Sequence, residues 1–307
     1  MKRAIVSKVD KTGSEKMNVH DKLKNKGYSN KQIEDIINHQ FFDENKATID
    51  EVFDFFSFYL IPIQVIINNT AKSPSILNKT TQELNALTLY FVNNFNYEYD
   101  EMAVIYKRYL RIAANSLDSI HSKINDLIKY GLSKESLRKI IYDNPLILAT
   151  SLNKIKNLEK KFKDNGINKQ NYLAILERDS TFLESASETI DERLKILRKI
   201  FGNDERYRKF LTLFPKILEN VPETLYLKFN IYKLTGSTNI IMANPYSTIR
   251  SAAAVYARYN AIKDKENWNR KHLFYKNNEF YEKYHLKTEE LINQYPIPEG
   301  FFKNVRF

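Results

Sequence analysis

Cysteine is absent from this sequence of 307 residues, which excludes disulfides, thiolate catalysis and cysteine-based zinc sites. Glycine and proline are scarce, with 7 and 8 residues. So few breakers suit a mostly helical chain with short loops and argue against a β-sandwich. Long apolar runs are also missing. The most apolar stretch, Phe53 to Ile67, is interrupted by Asp54, Ser57, Pro62 and Gln64 and is too short to cross a bilayer. The opening Met1-Lys2-Arg3-Ala4-Ile5-Val6-Ser7-Lys8 lacks the apolar core of a secretory signal. A cytoplasmic protein with no membrane partner is expected. The five histidines, His20, His39, His121, His272 and His285, form no His-x-x-x-His pair, and neither a Gly-rich phosphate loop nor a Gly-x-Ser-x-Gly elbow occurs. The sequence therefore reads as non-enzymatic, without metal or cofactor.

What is present is ample core material and an excess of positive charge. Hydrophobic residues make up 43% and aromatics 13%, enough to bury a continuous core. Lys and Arg number 48 against 37 Asp and Glu, a net +11. The excess is uneven: residues 51–100 carry 2 basic and 5 acidic residues, whereas residues 101–307 carry 36 and 24, a net +12. An anionic partner fits this balance, and nucleic acid is the commonest one.

The scarce residues recur in phase. Gly131, Gly166, Gly202 and Gly236 are 35, 36 and 34 residues apart, and Gly27 lies 104 residues before Gly131, three steps of just under 35. The two empty slots fall near Ile61 and Asn96. Two residues after each glycine stands a helix N-cap type: Ser29, Ser133, Asn168, Asp204 and Thr238. Gln32 completes a capping box with Ser29. Each site reads as helix stop, left-handed glycine and helix start. Apolar stripes of helical period follow, as in Leu137, Ile140 and Ile141 or Tyr172, Ile175 and Leu176.

Pro74, Pro145, Pro215 and Pro245 share a second register, with Leu110 and Ser180 in the slots that proline leaves empty. A proline there stops the first helix and opens a short turn. Ten residues on, Leu84, Ile120, Ile155, Ile190, Leu225 and Val255 each lead a longer helix. The unit is helix, Pro-marked turn, longer helix and Gly turn. About seven such units of roughly 35 residues between 21 and 263 stack into an all-α solenoid, because one unit alone cannot bury its stripe. Residues 1–20 are a polar N-terminal segment. Residues 264–307, with Trp268 and many Tyr and Phe, leave the pattern and read as a C-terminal cap. The aromatics are read mainly as core, Phe53, Phe55, Phe56 and Phe58 among them.

The unit from Gly131-Leu-Ser133 to Asn144-Pro145-Leu-Ile-Leu148, followed by Ser151 and Ile155, resembles the repeat of the mitochondrial transcription termination factor (mTERF) family. Phe214-Pro215-Lys-Ile217-Leu218 with Val221 repeats the pattern, as does Ser180-Thr-Phe182-Leu183 with Ser185. Pentatricopeptide repeats share the period but lack the proline, and tetratricopeptide repeats would need a Trp-Leu-Gly-Tyr pattern that is absent. The resemblance implies a half-doughnut stack of helix pairs whose basic concave face binds DNA or RNA, with a role in transcription or replication.

Three residues into the second stripe stand Lys123, Arg193, Lys228 and Arg258, with Leu87 and Leu158 in the two remaining slots. One position repeated on stacked helices makes a row, and a cationic row can follow phosphates. Lys195, Arg198, Lys199, Lys216 and Arg250 lie close by in sequence, and Tyr256 and Tyr259 flank Arg258 as candidates for base or sugar contact. The rival reading is a helical-repeat scaffold for a protein partner, since a solenoid fold by itself does not choose between them.

Overall fold

The computed structural model describes residues 18–202 and 204–298, so all but the last three residues of the polar N-terminal segment 1–20 lie outside the described residues. Among the described residues every regular element is helical. They divide into two compact units, residues 1–149 and 150–307. The first unit opens with α1 (Val19–Asn25). It continues with α2 (Asn30–Ile37), a 3-10 turn at Glu44–Lys46 and α3 (Ile49–Phe58), then α4 (Ile63–Lys72), a turn at Pro74–Asn78 and α5 (Thr81–Phe95). Next come α6 (Tyr99–Tyr109), a turn at Leu110–Ala114 and α7 (Leu117–Tyr130), then α8 (Lys134–Asp143) with a turn at Pro145–Leu148.

The second unit begins with α9 (Leu152–Asp164), followed by α10 (Lys169–Arg178), a turn at Thr181–Glu184 and α11 (Ser187–Phe201). It goes on through α12 (Asp204–Leu213), a turn at Pro215–Glu219 and α13 (Pro222–Leu234) to α14 (Thr238–Ala243), a turn at Pro245–Ile249 and α15 (Ala252–Ile262). A last turn at Arg270–Phe274, α16 (Asn277–Tyr284) and α17 (Thr288–Gln294) close the chain. The fold is an all-α solenoid of helix, 3-10 turn and longer helix.

The corners between repeats sit where the glycine spacing places them. Gly27, Gly131, Gly166, Gly202 and Gly236 all have positive φ, and the two slots without glycine are filled by Leu60 and Asn96, each at φ 54°. Leu60 therefore takes the slot assigned near Ile61. At five of these corners the next N–H reaches back five residues: Tyr28 to the Leu23 carbonyl, Ile61 to Phe56, Leu132 to Leu127, Ile167 to Phe162 and Ser237 to Tyr232. This bond satisfies a carbonyl that the ending helix leaves open, and the residue that makes it is buried. Asparagine tolerates the left-handed conformation; leucine does so at a cost of about 1–2 kcal/mol.

Helix starts follow local chemistry. Ser29 accepts from the Gln32 N–H, and Gln32 returns the bond to complete the capping box. Ser133 and Asn168 cap α8 and α10 in the same way, by accepting from Ser136 and Asn171. Two assignments shift by one residue. Asp204 is the first residue of α12 rather than its cap, and Ser237, not Thr238, precedes α14. The proline register is realised as the first residue of the turns at Pro74, Pro145, Pro215 and Pro245, with Leu110 opening the turn where proline is missing and Ser180 just before the next.

Packing follows the stripes. Leu84, Ile120, Ile155, Ile190, Leu225 and Val255 are all buried, each contributing roughly 1.5–3 kcal/mol of burial. In the first unit α3 packs on α5 and α5 on α7; in the second, α9, α11, α13 and α15 pack in succession and α17 lies against α15. Phe53, Phe55 and Phe56 are core, but Phe58 is 77% exposed, because it points off the last turn of α3 rather than along its buried stripe.

The period also shortens toward the end. The residues just before the caps of the long helices are Ser185, Asn220, Arg250 and Tyr275, at steps of 35, 30 and 25. The first helix shrinks in parallel, from ten residues in α12 to six in α14, and no α-helix precedes the Arg270–Phe274 turn. The region assigned to the cap thus opens with a turn in register, which the sequence pattern hides because its first helix and its proline are gone.

At Gly202, with φ +58°, an added Cβ would meet nothing within 4 Å. Gly202→Ala therefore isolates the backbone term and is expected to lower stability by about 1 kcal/mol, read as a lower urea midpoint at unchanged slope.

Candidate nucleic-acid interface

Most of the cations anticipated as a row do not face solvent. On α11, Arg193 is 6% exposed and donates to the Leu218 carbonyl of the next repeat and, at 3.1 Å, to Ser185 Oγ of its own. On α13, Lys228 is 9% exposed and donates to the Thr248 carbonyl at 2.9 Å and to Asn220 Oδ1 at 3.1 Å. On α15, Arg258 is fully buried. It donates to the carbonyls of Leu273 (3.2 Å) and Tyr275 (2.7 Å), to Asn277 Oδ1 (2.8 Å) and twice to Thr288 Oγ1, with its guanidinium over the Phe280 ring.

The three cations share one geometry. Leu218, Thr248 and Leu273 occupy the same place, two residues before the residue that precedes the next long helix's cap. The last N–H of each turn bonds one carbonyl earlier, to Ile217, Ser247 and His272. The following carbonyl is left without a partner inside the turn, and the cation from the preceding repeat supplies it. The row is an inter-repeat clasp. Burial lowers the pKa of all three; Arg258, with Arg250 nearby adding repulsion, is brought down to about 10 and stays charged at neutral pH. Lys123, on α7 against the Pro145–Leu148 turn, is half-buried with its pKa lowered by burial. The slot held by Leu87 borders a cavity of about 170 Å³ lined also by Leu84, Ala113 and Asn115. The expectation of phosphate contact at Arg193, Lys228 and Arg258 is thus corrected: all three are buried against carbonyls and side-chain oxygens of the fold, although Arg193 Nε makes no hydrogen bond there.

The remaining candidates stay at or near the surface. Lys195 is 67% exposed and pairs with Asp191 at 2.7 Å. Although burial pushes the Asp191 carboxyl up, hydrogen bonds from Lys195 and Asn165 hold it below its ordinary value. Arg198 makes a two-pronged contact with Asp204, at 3.0 and 3.2 Å, and packs over Gly166. Lys216 is exposed on the Pro215–Glu219 turn and, with Phe214, Asn220, Thr248 and Ile249, lines a cleft of about 310 Å³ that has Lys228 in its wall. Arg250 and Tyr256 are half-buried. Tyr259 meets Trp268 edge-on, ring centroids 5.9 Å apart, while Lys263 lies 5.9 Å from the Tyr259 centroid and Arg270 5.8 Å from that of Trp268.

The mTERF family model matches residues 4–265. The chain belongs to the mTERF family. The match runs through every complete repeat, from α2 to α15, and ends just before the strip of Trp268 and Arg270. No individually curated protein matches the sequence. The mTERF family is one of nucleic-acid-binding helical-repeat proteins.

In this mTERF chain, sequence reasoning missed Lys263, Trp268 and Arg270. The available signal was the one tryptophan set among cations in a segment read only as a cap. The second unit also holds most of the excess charge: 28 basic against 19 acidic residues in 150–307, a net +9, which leaves +2 for residues 1–149. Among the described residues no group of three or more His, Asp or Glu is placed to hold a metal ion, and no helix is long and apolar enough to cross a membrane.

Two substitutions separate clasp from surface. Arg258→Met strands the buried Leu273 carbonyl and the part-buried Tyr275 carbonyl and is expected to cost about 3 kcal/mol in chemical denaturation. Arg258→Lys recovers only part of this, since one ammonium cannot reproduce the fork. Lys195→Ala, an exposed i,i+4 pair, is expected to cost less than about 0.5 kcal/mol.

Proposed function

We propose that this protein binds DNA or RNA without chemical conversion of it, mainly by phosphate contacts from the exposed cations of residues 150–298, and that its occupancy regulates transcription or replication. The family membership carries the reading, and the net +9 of the second unit supports it. Lys195, Lys199, Lys216 and Lys263 are among the exposed cations that supply the charge, because those of the clasp row are turned inward. Tyr259 and Trp268, each beside a cation, add flat faces on which an unpaired base or a sugar can rest.

Trp268 is the single tryptophan, so emission excited at the red edge of the absorption band, where the twenty tyrosines do not absorb, reports on that strip alone. Titration with mixed-sequence single- and double-stranded oligonucleotides at low salt is expected to change this emission and to give a binding constant that falls linearly with salt on a log–log plot. Lys216→Ala combined with Lys263→Ala is expected to flatten that slope by roughly 1–2. Absence of salt-dependent binding at low ionic strength would overturn the assignment.

A further inference from the structure

The corners that reverse the chain share a backbone and differ in side chains. Two residues before the corner, at it and three after it, the first unit has Asn25, Gly27 and Asn30, then Phe58, Leu60 and Ile63, then Asn94, Asn96 and Tyr99, and finally Lys129, Gly131 and Lys134. Only the second of these is apolar at all three positions, and its residues are 77%, 87% and 57% exposed. Its corner residue is also the one leucine held at positive φ. A strained backbone and an apolar side chain in water both work against folding, and glycine would avoid both. Strain of this kind persists where a function uses it.

The surroundings define what fits. Tyr99, 52% exposed, holds in the next repeat the place that Ile63 holds here, and it is near Tyr59, whose pKa is raised by burial and by Tyr99 and whose ring meets that of Phe58 at 5.4 Å. It extends the ridge. Asp54, one helical turn before Phe58, and Glu98 and Asp100 beside Tyr99 are exposed. Residues 51–100 carry a net −3 in a chain of net +11. Their two cations lie elsewhere: Lys72 is at the far end of α4 from Ile63, and Lys79 pairs with Glu83 at 3.2 Å.

We propose that the ridge of Phe58, Leu60, Ile63 and Tyr99 docks a basic amphipathic helix of another protein, whose apolar face covers the ridge and whose Lys and Arg residues meet Asp54, Glu98 and Asp100. Contiguous apolar side chains rimmed by charged ones mark interaction sites, and an amphipathic helix docks by laying its apolar face on such a surface. The carboxylates repel a nucleic-acid backbone. They also disfavour a two-fold contact with a second copy, in which the same acidic groups would face one another.

The test is a phage-displayed library of helical peptides, selected on the full chain, with the enriched peptides then measured against Leu60→Gly. Leu60→Gly relieves the strain, so its urea midpoint is expected to rise, and any lost binding is then not lost folding. Enriched peptides are expected to pair an apolar stripe with Lys or Arg flanks. Synthesised, they are expected to bind the wild-type chain at least tenfold more tightly than Leu60→Gly or Phe58→Ser. Oligonucleotide binding is expected to be the same in all three proteins, which keeps this surface separable from the proposed nucleic-acid function. Peptides that ignore Leu60→Gly, or no enrichment at all, would overturn the proposal. Concentration-dependent dimerisation of the wild-type chain in sedimentation velocity, abolished by Leu60→Gly, would assign the ridge to a second copy instead.

Discussion

A carbonyl at the end of a short helical turn has no partner within that turn, and burying it unpaired is costly. In this protein the next-door repeat answers that need with a cation. Arg193, Lys228 and Arg258 each project from a long helix into the following 3-10 turn and donate to the carbonyl that the turn leaves open, at Leu218, Thr248 and Leu273. The contact couples neighbouring repeats by a directional bond as well as by apolar packing. It also bears on where the function can lie, because a buried cation held against the fold's own carbonyls is not presented to phosphate.

The clasp depends on register, and register depends on the corners. A helix that reverses within a few residues needs one residue in the left-handed conformation, and that residue recurs at 27, 60, 96, 131, 166, 202 and 236. From the corners at 60, 96, 131, 166 and 202 the distance to the turn and to the long helix is nearly constant, and from Gly236 it is shorter, yet equivalent side chains still meet equivalent carbonyls. Where the first helix shortens in α14 and then disappears, the clasp survives, since Arg258 still finds Leu273 fifteen residues on. The long helix and its preceding turn are therefore the invariant part of the unit, and the first helix is the part that varies.

The two units differ in what they leave exposed. The second concentrates the excess positive charge and sets Tyr259 and Trp268 among cations. The first carries an acidic stretch with an apolar corner at Phe58, Leu60 and Ile63. A chain with a net +11 thus keeps most of its excess positive charge apart from an acidic stretch.

Much of this was legible in the sequence, for a physical reason. Glycine and proline act on their own backbone, so Gly131, Gly166, Gly202, Pro145 and Pro215 announced corners and turns without reference to anything distant. Caps such as Ser29 and Ser133 are equally local. The row of Lys123, Arg193, Lys228 and Arg258 was legible as a row, because period alone places it. Its purpose was not. Whether a cation meets water, phosphate or a carbonyl depends on what the next repeat places opposite it, and that carbonyl lies fifteen to twenty-five residues away along the chain. The same holds for Leu60, whose exposure and positive φ were hidden behind an ordinary apolar residue. Local backbone preference set the period; contact between repeats decided which side chains were spent inside and which were left to act outside.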